Sequence, residues 1–132
     1  MSGPLEQIPY ARFLGLKGEV DDGVITVAMP FADHLIGNPM LPALHGGSTA
    51  ALLEITAIAQ VAMTWPALRL PRPINVTVAY LRSGRPVEVR ARARIQRAGR
   101  RVAHVTAEAW QDNEAEPIAS LAAHFLMAGE TF

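Results

Sequence analysis

Residues 46–65 read GGSTAALLEITAIAQVAMTW. After Gly46-Gly47 the stretch holds no breaker until Pro66, so it predicts a helix of about 18 residues, about 27 Å long at 1.5 Å per residue. Its apolar residues (Ala50, Leu52, Leu53, Ile55, Ala57, Ile58, Ala59, Val61, Ala62) go nearly all the way round. A helix of that kind belongs inside a fold rather than on its surface. Glu54 is its only charge.

Beyond Pro71 and Pro73 the period changes to two. Ile74, Val76, Val78 and Tyr80 alternate with Asn75, Thr77 and Ala79, and Val87, Val89, Ala91, Ala93 and Ile95 alternate with Glu88, Arg90, Arg92 and Arg94. Segments 102–110 and 118–127 continue the pattern, with turns at Ala98-Gly99 and Asp112-Asn113, so four half-buried strands are expected as an antiparallel meander. On the N-terminal side, residues 4–12 suggest a short amphipathic helix weakened in its middle by Pro9. Residues 14–20 and 24–29 read as a hairpin about Asp21-Asp22-Gly23. Pro30, Gly37, Asn38, Pro39 and Pro42 make 30–45 a long irregular loop, a length often associated with function. The order is α+β: an antiparallel sheet of about six strands curling around one long central helix, in a single domain over 1–132.

The chain has 132 residues, half of them hydrophobic, with 12 basic and 12 acidic side chains and no Cys. That size needs no staple. The lack of Cys removes disulfide scaffolds, zinc ribbons, iron–sulfur clusters and thiol nucleophiles. A zero net charge disfavours a nucleic-acid partner. With no run of apolar residues of the form a membrane span needs and no signal-peptide design at the start, a cytoplasmic protein off the membrane is expected. Charge is unevenly placed: between Asp33 and Arg69 only Glu54 is charged, whereas Arg82 to Arg101 holds eight arginines against Glu88. That second segment suits an anionic partner.

The chemistry-bearing constellation is Leu44-His45-Gly46-Gly47 followed by Glu54. Glycines at a helix N-terminus leave backbone N–H groups unobstructed at the positive end of the helix dipole, as a developing oxyanion requires. Glu54, alone in an apolar helix, is expected to be desolvated, with a raised pKa and the reactivity of an acid or base. Nine residues from His45 amount to about 2.5 turns and about 13.5 Å. Glu54 therefore does not readily reach its own helix start, and cooperation between the two features calls for a second subunit.

His45-Gly46-Gly47, six residues and then Glu54, on the central helix of a strand–strand–helix–four-strand chain, resembles the hotdog-fold acyl-CoA thioesterases. The likeness is greatest to the phenylacetate-degradation-type and 4-hydroxybenzoyl-CoA thioesterase branches, and it spans about Gly15 to Met127. It implies hydrolysis of a small, medium or arylacyl coenzyme A thioester in a homodimer or dimer of dimers. No cofactor or metal is implied beyond the coenzyme A of the substrate. The Gly46 amide would polarise the thioester carbonyl, with Gly47 beside it, and Glu54 of the partner subunit would act as nucleophile or general base. Tyr80-Leu81-Arg82-Ser83-Gly84 is similar to a segment that brings Arg to coenzyme A phosphates, and Gly99-Arg100-Arg101 to a nucleotide-contacting turn. Arg82, Arg85, Arg100 and Arg101 are thus candidate phosphate ligands.

Two positions depart from the family pattern. An Asn or Gln usual six residues before the His is replaced by Pro39, with Asn38 adjacent, and a hydroxyl usual four residues after the carboxylate is replaced by Ile58. Thr56, Asn75 and Thr77 are the available substitutes for orienting water. His45 and His34 are weighed as bases, but a His at a helix entry more often packs and hydrogen-bonds. His104 and His124 read as structural, and Arg90, Arg92 and Arg94 as a solvated strand face. Two alternatives stand. His34-Leu35-Ile36-Gly37-Asn38-Pro39 with Ala59-Gln60 is similar to 3-hydroxyacyl-thioester dehydratases, although Ser48 occupies their acidic position. A noncatalytic acyl-CoA-binding domain is the other.

Overall fold

The computed structural model describes Leu5 and residues 8–32, 35–38, 43–44, 46–65 and 71–127. The long helix α2 runs Gly46–Thr64, within a residue or so of its expected span. Around it curls a six-stranded antiparallel sheet of β1 (Lys17–Asp21), β2 (Val24–Met29), β5 (Arg72–Tyr80), β6 (Val89–Ala98), β7 (Val102–Trp110) and β8 (Ala119–Leu126). This is the hotdog architecture. Its strand order is β1-β2-β6-β7-β8-β5.

That order corrects the expected four-strand meander. Only β6, β7 and β8 are sequential neighbours, while β5 pairs with β8 and forms the far edge. The reason lies in the link from Leu81 to Glu88, which holds Gly84 and Pro86 and is too long for a tight hairpin. Crossing from β5 to β6 spans three strand spacings, about 14 Å. Eight extended residues reach about 26 Å, and β8 returns to fill the gap.

The hairpin of β1 and β2 forms as expected, with Asp22 (φ 50°) and Gly23 (φ 77°) both left-handed at the turn, the pairing that matches strand twist. The first helix differs from expectation: α1 is Pro9–Leu14, and Pro9 opens it instead of weakening its middle. A ring-locked φ and a missing N–H suit the first helical position. The 30–45 segment is not wholly irregular, because β3 (Ile36–Asn38) and β4 (Ala43–Leu44) form a two-stranded ladder with a register shift.

Alternation along the strands turns one face of the sheet to the helix. Ala91, Ala93, Ala103, Ala107, Ala109, Ala119 and Ala123 line that face, with Val27, Met29, Val89, Val105, Leu121 and Phe125 filling the space between them. The small side chains let α2 approach closely, and Leu52, Leu53, Ala57 and Ala59 of the helix are fully buried. Gln60 ties the helix to the hairpin: its Oε1 accepts from the Ile25 N–H at 3.0 Å, and its Nε2 donates to the Gly23 carbonyl at 3.0 Å. By length and composition α2 could cross a membrane, but 61% of its apolar window is buried in this fold.

The helix is not enclosed on every side. Ala50, Ala51, Glu54, Ile58 and Ala62 form a half-buried stripe along it. The edge strand β5 is exposed almost throughout, with Ile74, Val76 and Tyr80 among the large hydrophobics that remain open.

Candidate active site

The N-terminus of α2 opens into a cleft of about 390 Å³ lined by Gly46, Thr49, Tyr80, Leu81, Arg82, Ser83, Gly84 and Ile118. Three of the expected site residues, Gly46, Tyr80 and Arg82, are therefore brought together. The contact between the first two is direct: Tyr80 Oη donates to the Gly46 carbonyl at 3.0 Å. A Cβ at position 46 would lie 3.3 Å from Tyr80 ring carbons, so glycine lets the ring approach this helix end. Gly46 is exposed, and the first N–H of a helix has no acceptor within the helix. Thr49 was not singled out by the sequence, although its i+3 spacing from Gly46 puts it on the same side of the helix.

Arg82 reaches the cleft from the chain just after β5, with Nη1 donating to the Pro117 carbonyl at 2.6 Å. Arg85 lies one turn further along the link. Its backbone N–H donates to Gln111 Oε1 at 3.1 Å, and its guanidinium pairs with the Asp112 carboxylate on the surface. Glu54 sits two turns down the helix on the half-buried stripe, so it is less enclosed than the helix composition led us to expect. Asn38 ends β3, paired with Ala43. His45, His34 and Pro39 lie outside the described residues.

Gly99, Arg100 and Arg101 are at the opposite end of the sheet. They form the β6–β7 turn, where the Gly99 N–H donates to the Val102 carbonyl at 2.8 Å. With Arg97, Val102, His104 and His124 they line a depression of about 950 Å³. The two histidines, from adjacent strands, stack with ring centroids 4.6 Å apart, and Asn75 Oδ1 lies 3.0 Å from His124 Nδ1. No acid is among the described residues that line it.

The substitutes for a water-orienting residue are all engaged or misplaced. Thr56 is fully buried and donates to the Leu52 carbonyl at 2.6 Å. Asn75 is committed to His124, and Thr77 lines the face of the sheet turned away from the helix. Gln60, part of the likeness to dehydratases, is spent on the hairpin turn. Arg90 and Arg94 are exposed on the outer strand face, as expected, and two of the three arginines there are ion-paired. Arg90 bonds Glu88, and Arg92 bonds both oxygens of Glu114 at 2.9 Å while lying 5.1 Å over the Trp110 ring.

A long central helix whose exposed start carries glycines, wrapped by a six-stranded antiparallel sheet, defines a class: the hotdog thioester-handling domains. Residues 37–129 match the family described as the acyl-CoA thioesterase N-terminal domain. Among solved structures, a Chromobacterium violaceum protein is similar at 33% identity, with 96% of this chain and 88% of that one covered and a TM-score of 0.76. A phenylacetic acid degradation-related protein from Ralstonia eutropha is similar at 26% identity, with 90% of each chain covered and a TM-score of 0.80. A Bacillus halodurans protein crystallised with CoA is similar at 25% identity, covering 89% of this chain and 77% of that one, with a TM-score of 0.79. Curated proteins give no significant match. The chain belongs to the acyl-CoA thioesterase family, and its chemistry is thioester hydrolysis.

Proposed function

We propose that this thioesterase hydrolyses a small, medium-length or arylacyl coenzyme A thioester in a site shared between two copies of the chain. The observation that carries the reading is the cleft at the start of α2, where Gly46 is exposed beside Arg82. There the thioester carbonyl accepts a hydrogen bond from the Gly46 amide, which strengthens as negative charge develops on oxygen at the positive end of the helix. Glu54 of the second copy attacks the carbonyl carbon or deprotonates the water that does so. Thiolate leaves readily, so one carboxylate and one oxyanion donor suffice without a Ser-His-Asp triad. His45 and Asn38 flank this helix entry in sequence and are the candidates for orienting the water.

The open surfaces support a shared site. An edge strand with a bare apolar face is a template for pairing, and β5 is such an edge, exposed almost throughout. A copy docked antiparallel along β5 brings its own far end beside this chain's Gly46. Arg100 and Arg101 of one copy then join Arg82 of the other around the substrate phosphates. The proximity of a phenylacetic acid degradation-related protein and of a CoA-bound protein among the similar structures supports this substrate class.

Hydrolysis of a panel of acyl-CoA thioesters by the wild type and by Glu54→Gln tests the reading. Turnover on at least one ester, reduced at least ~10²-fold in kcat by the substitution with KM little changed, is expected. Full turnover by Glu54→Gln overturns the role of that carboxylate. Tight binding of acyl-CoA with no turnover by the wild type overturns hydrolysis in favour of a binding domain.

A further inference from the structure

We infer that Tyr80 is a positioning residue for the oxyanion donor: its side chain fixes the peptide geometry of Gly46 and thereby the direction of the Gly46 N–H. The inference rests on the proposed role of the Gly46 amide and goes beyond it, since the resemblance assigned Tyr80 only to a coenzyme A-binding segment.

The physical problem is created by the glycine itself. A residue without Cβ has the widest choice of φ and ψ, and it sits where the helix has not yet closed its hydrogen bonds. An oxyanion donor, in contrast, is effective only when held in place before charge develops, because a donor that must reorient gives back part of its stabilisation. Something outside the helix has to hold Gly46. Tyr80 does so at two points. Its hydroxyl donates to the Gly46 carbonyl at 3.0 Å, orienting the peptide on one side of the Gly46 Cα. Its ring carbons come within 3.3 Å of where a Cβ would be, blocking the direction into which the residue could swing.

The support for Tyr80 is equally specific. It is the last residue of β5, held in register opposite Ala119 on β8, and the following residues Leu81 and Arg82 both donate backbone N–H bonds to the Ile118 carbonyl, at 2.8 and 3.1 Å. The strand end is thereby anchored on the sheet, and the phenol transmits that rigidity to the helix start. The ring is 58% exposed, so core filling is not what its position serves. A tyrosine left open on an edge strand, with its one polar atom spent on the helix end, orients that end.

The test compares Tyr80→Phe, which keeps the ring and removes the hydroxyl, with Tyr80→Leu, which removes both, alongside Glu54→Gln. Steady-state kinetics on the best acyl-CoA ester are read together with thermal unfolding. The expected result is a fall in kcat of about 3- to 10-fold for Tyr80→Phe and a larger one for Tyr80→Leu, with KM changed less than twofold and unfolding of Tyr80→Phe unaltered. A purely structural tyrosine would move the unfolding transition, and a substrate-binding tyrosine would move KM. A second variant, Gly46→Ala, forces a Cβ against the ring, and its loss in kcat should be smaller when Tyr80 is already Leu than when Tyr80 is intact. Unchanged kcat in Tyr80→Phe, while Glu54→Gln is strongly impaired, overturns this inference and leaves the catalytic reading intact. Full activity in Glu54→Gln overturns the catalytic reading instead, whatever the tyrosine variants do.

Discussion

Tyr80 and Val102 lie at opposite ends of β8, Tyr80 level with Ala119 and Val102 level with Leu126. The separation is about 23 Å at 3.3 Å per residue. The Gly46 cleft therefore occupies one end of the sheet and the Arg100-Arg101 turn the other. Two groups of basic residues that the sequence offers to the same ligand do not meet within one chain, and the antiparallel partner proposed above would unite them.

Association through β5 is the first expected outcome. Sedimentation at micromolar concentration should give a dimer or a multiple of one. Val76→Lys, which puts a charge on the exposed apolar face of the edge strand, should shift the protein towards monomer and lower turnover in step. A stable wild-type monomer with full activity would remove the shared site altogether.

Phosphate recognition separates from catalysis in the kinetics. Arg82→Ala and Arg100→Ala should each raise KM for coenzyme A esters about 10-fold, the equivalent of one charge-assisted bond, with kcat largely retained. Added salt should raise the wild-type KM and affect the Arg variants less. Arg85 is already paired with Asp112, so Arg85→Ala should have the smaller effect. Unchanged KM in both Arg82→Ala and Arg100→Ala would move coenzyme A elsewhere.

Gln60 supplies a prediction about stability alone. Gln60→Ala leaves the buried Ile25 N–H without its acceptor and removes the bond to the Gly23 carbonyl, costing about 2–3 kcal/mol. Denaturant titration should show a lower midpoint with an unchanged slope, while kcat per folded molecule stays near the wild type. A selective loss of kcat without loss of stability would instead give Gln60 a part in the chemistry.

Much of this architecture is legible in the sequence because single residues carry unambiguous signals. Gly46-Gly47 and Pro66 bound the long helix, and Asp22-Gly23 makes the hairpin turn. The alternation through 89–95 and 102–110 marks one-sided strands. Strand order is another matter: β5 looks like a neighbour of β6 in sequence, and nothing local in 81–88 says which strand the link will cross. Pro9 misleads in a similar way, since the same ring that breaks a helix interior also starts one. At the site, the type and spacing of Gly46 and Glu54 are visible in the chain, but the bond from Tyr80 to Gly46 joins residues 34 positions apart and depends on how the end of β5 meets the helix. The engagement of Thr56 and Asn75 by Leu52 and His124 is likewise a product of packing.

Subunit complementation decides whether Gly46 and Glu54 of one site come from different copies. Glu54→Gln chains, and Gly46→Pro chains that lack the donor N–H at a first helical position proline tolerates, are each expected to be nearly inactive alone; they are mixed, dissociated and reassociated, and hydrolysis is measured. If Gly46 of one copy works with Glu54 of another, each mixed dimer contains one site with both groups intact, and an equal mixture should regain about a quarter of the wild-type rate. A mixture that forms mixed dimers yet stays as inactive as its components would contradict a site shared between subunits.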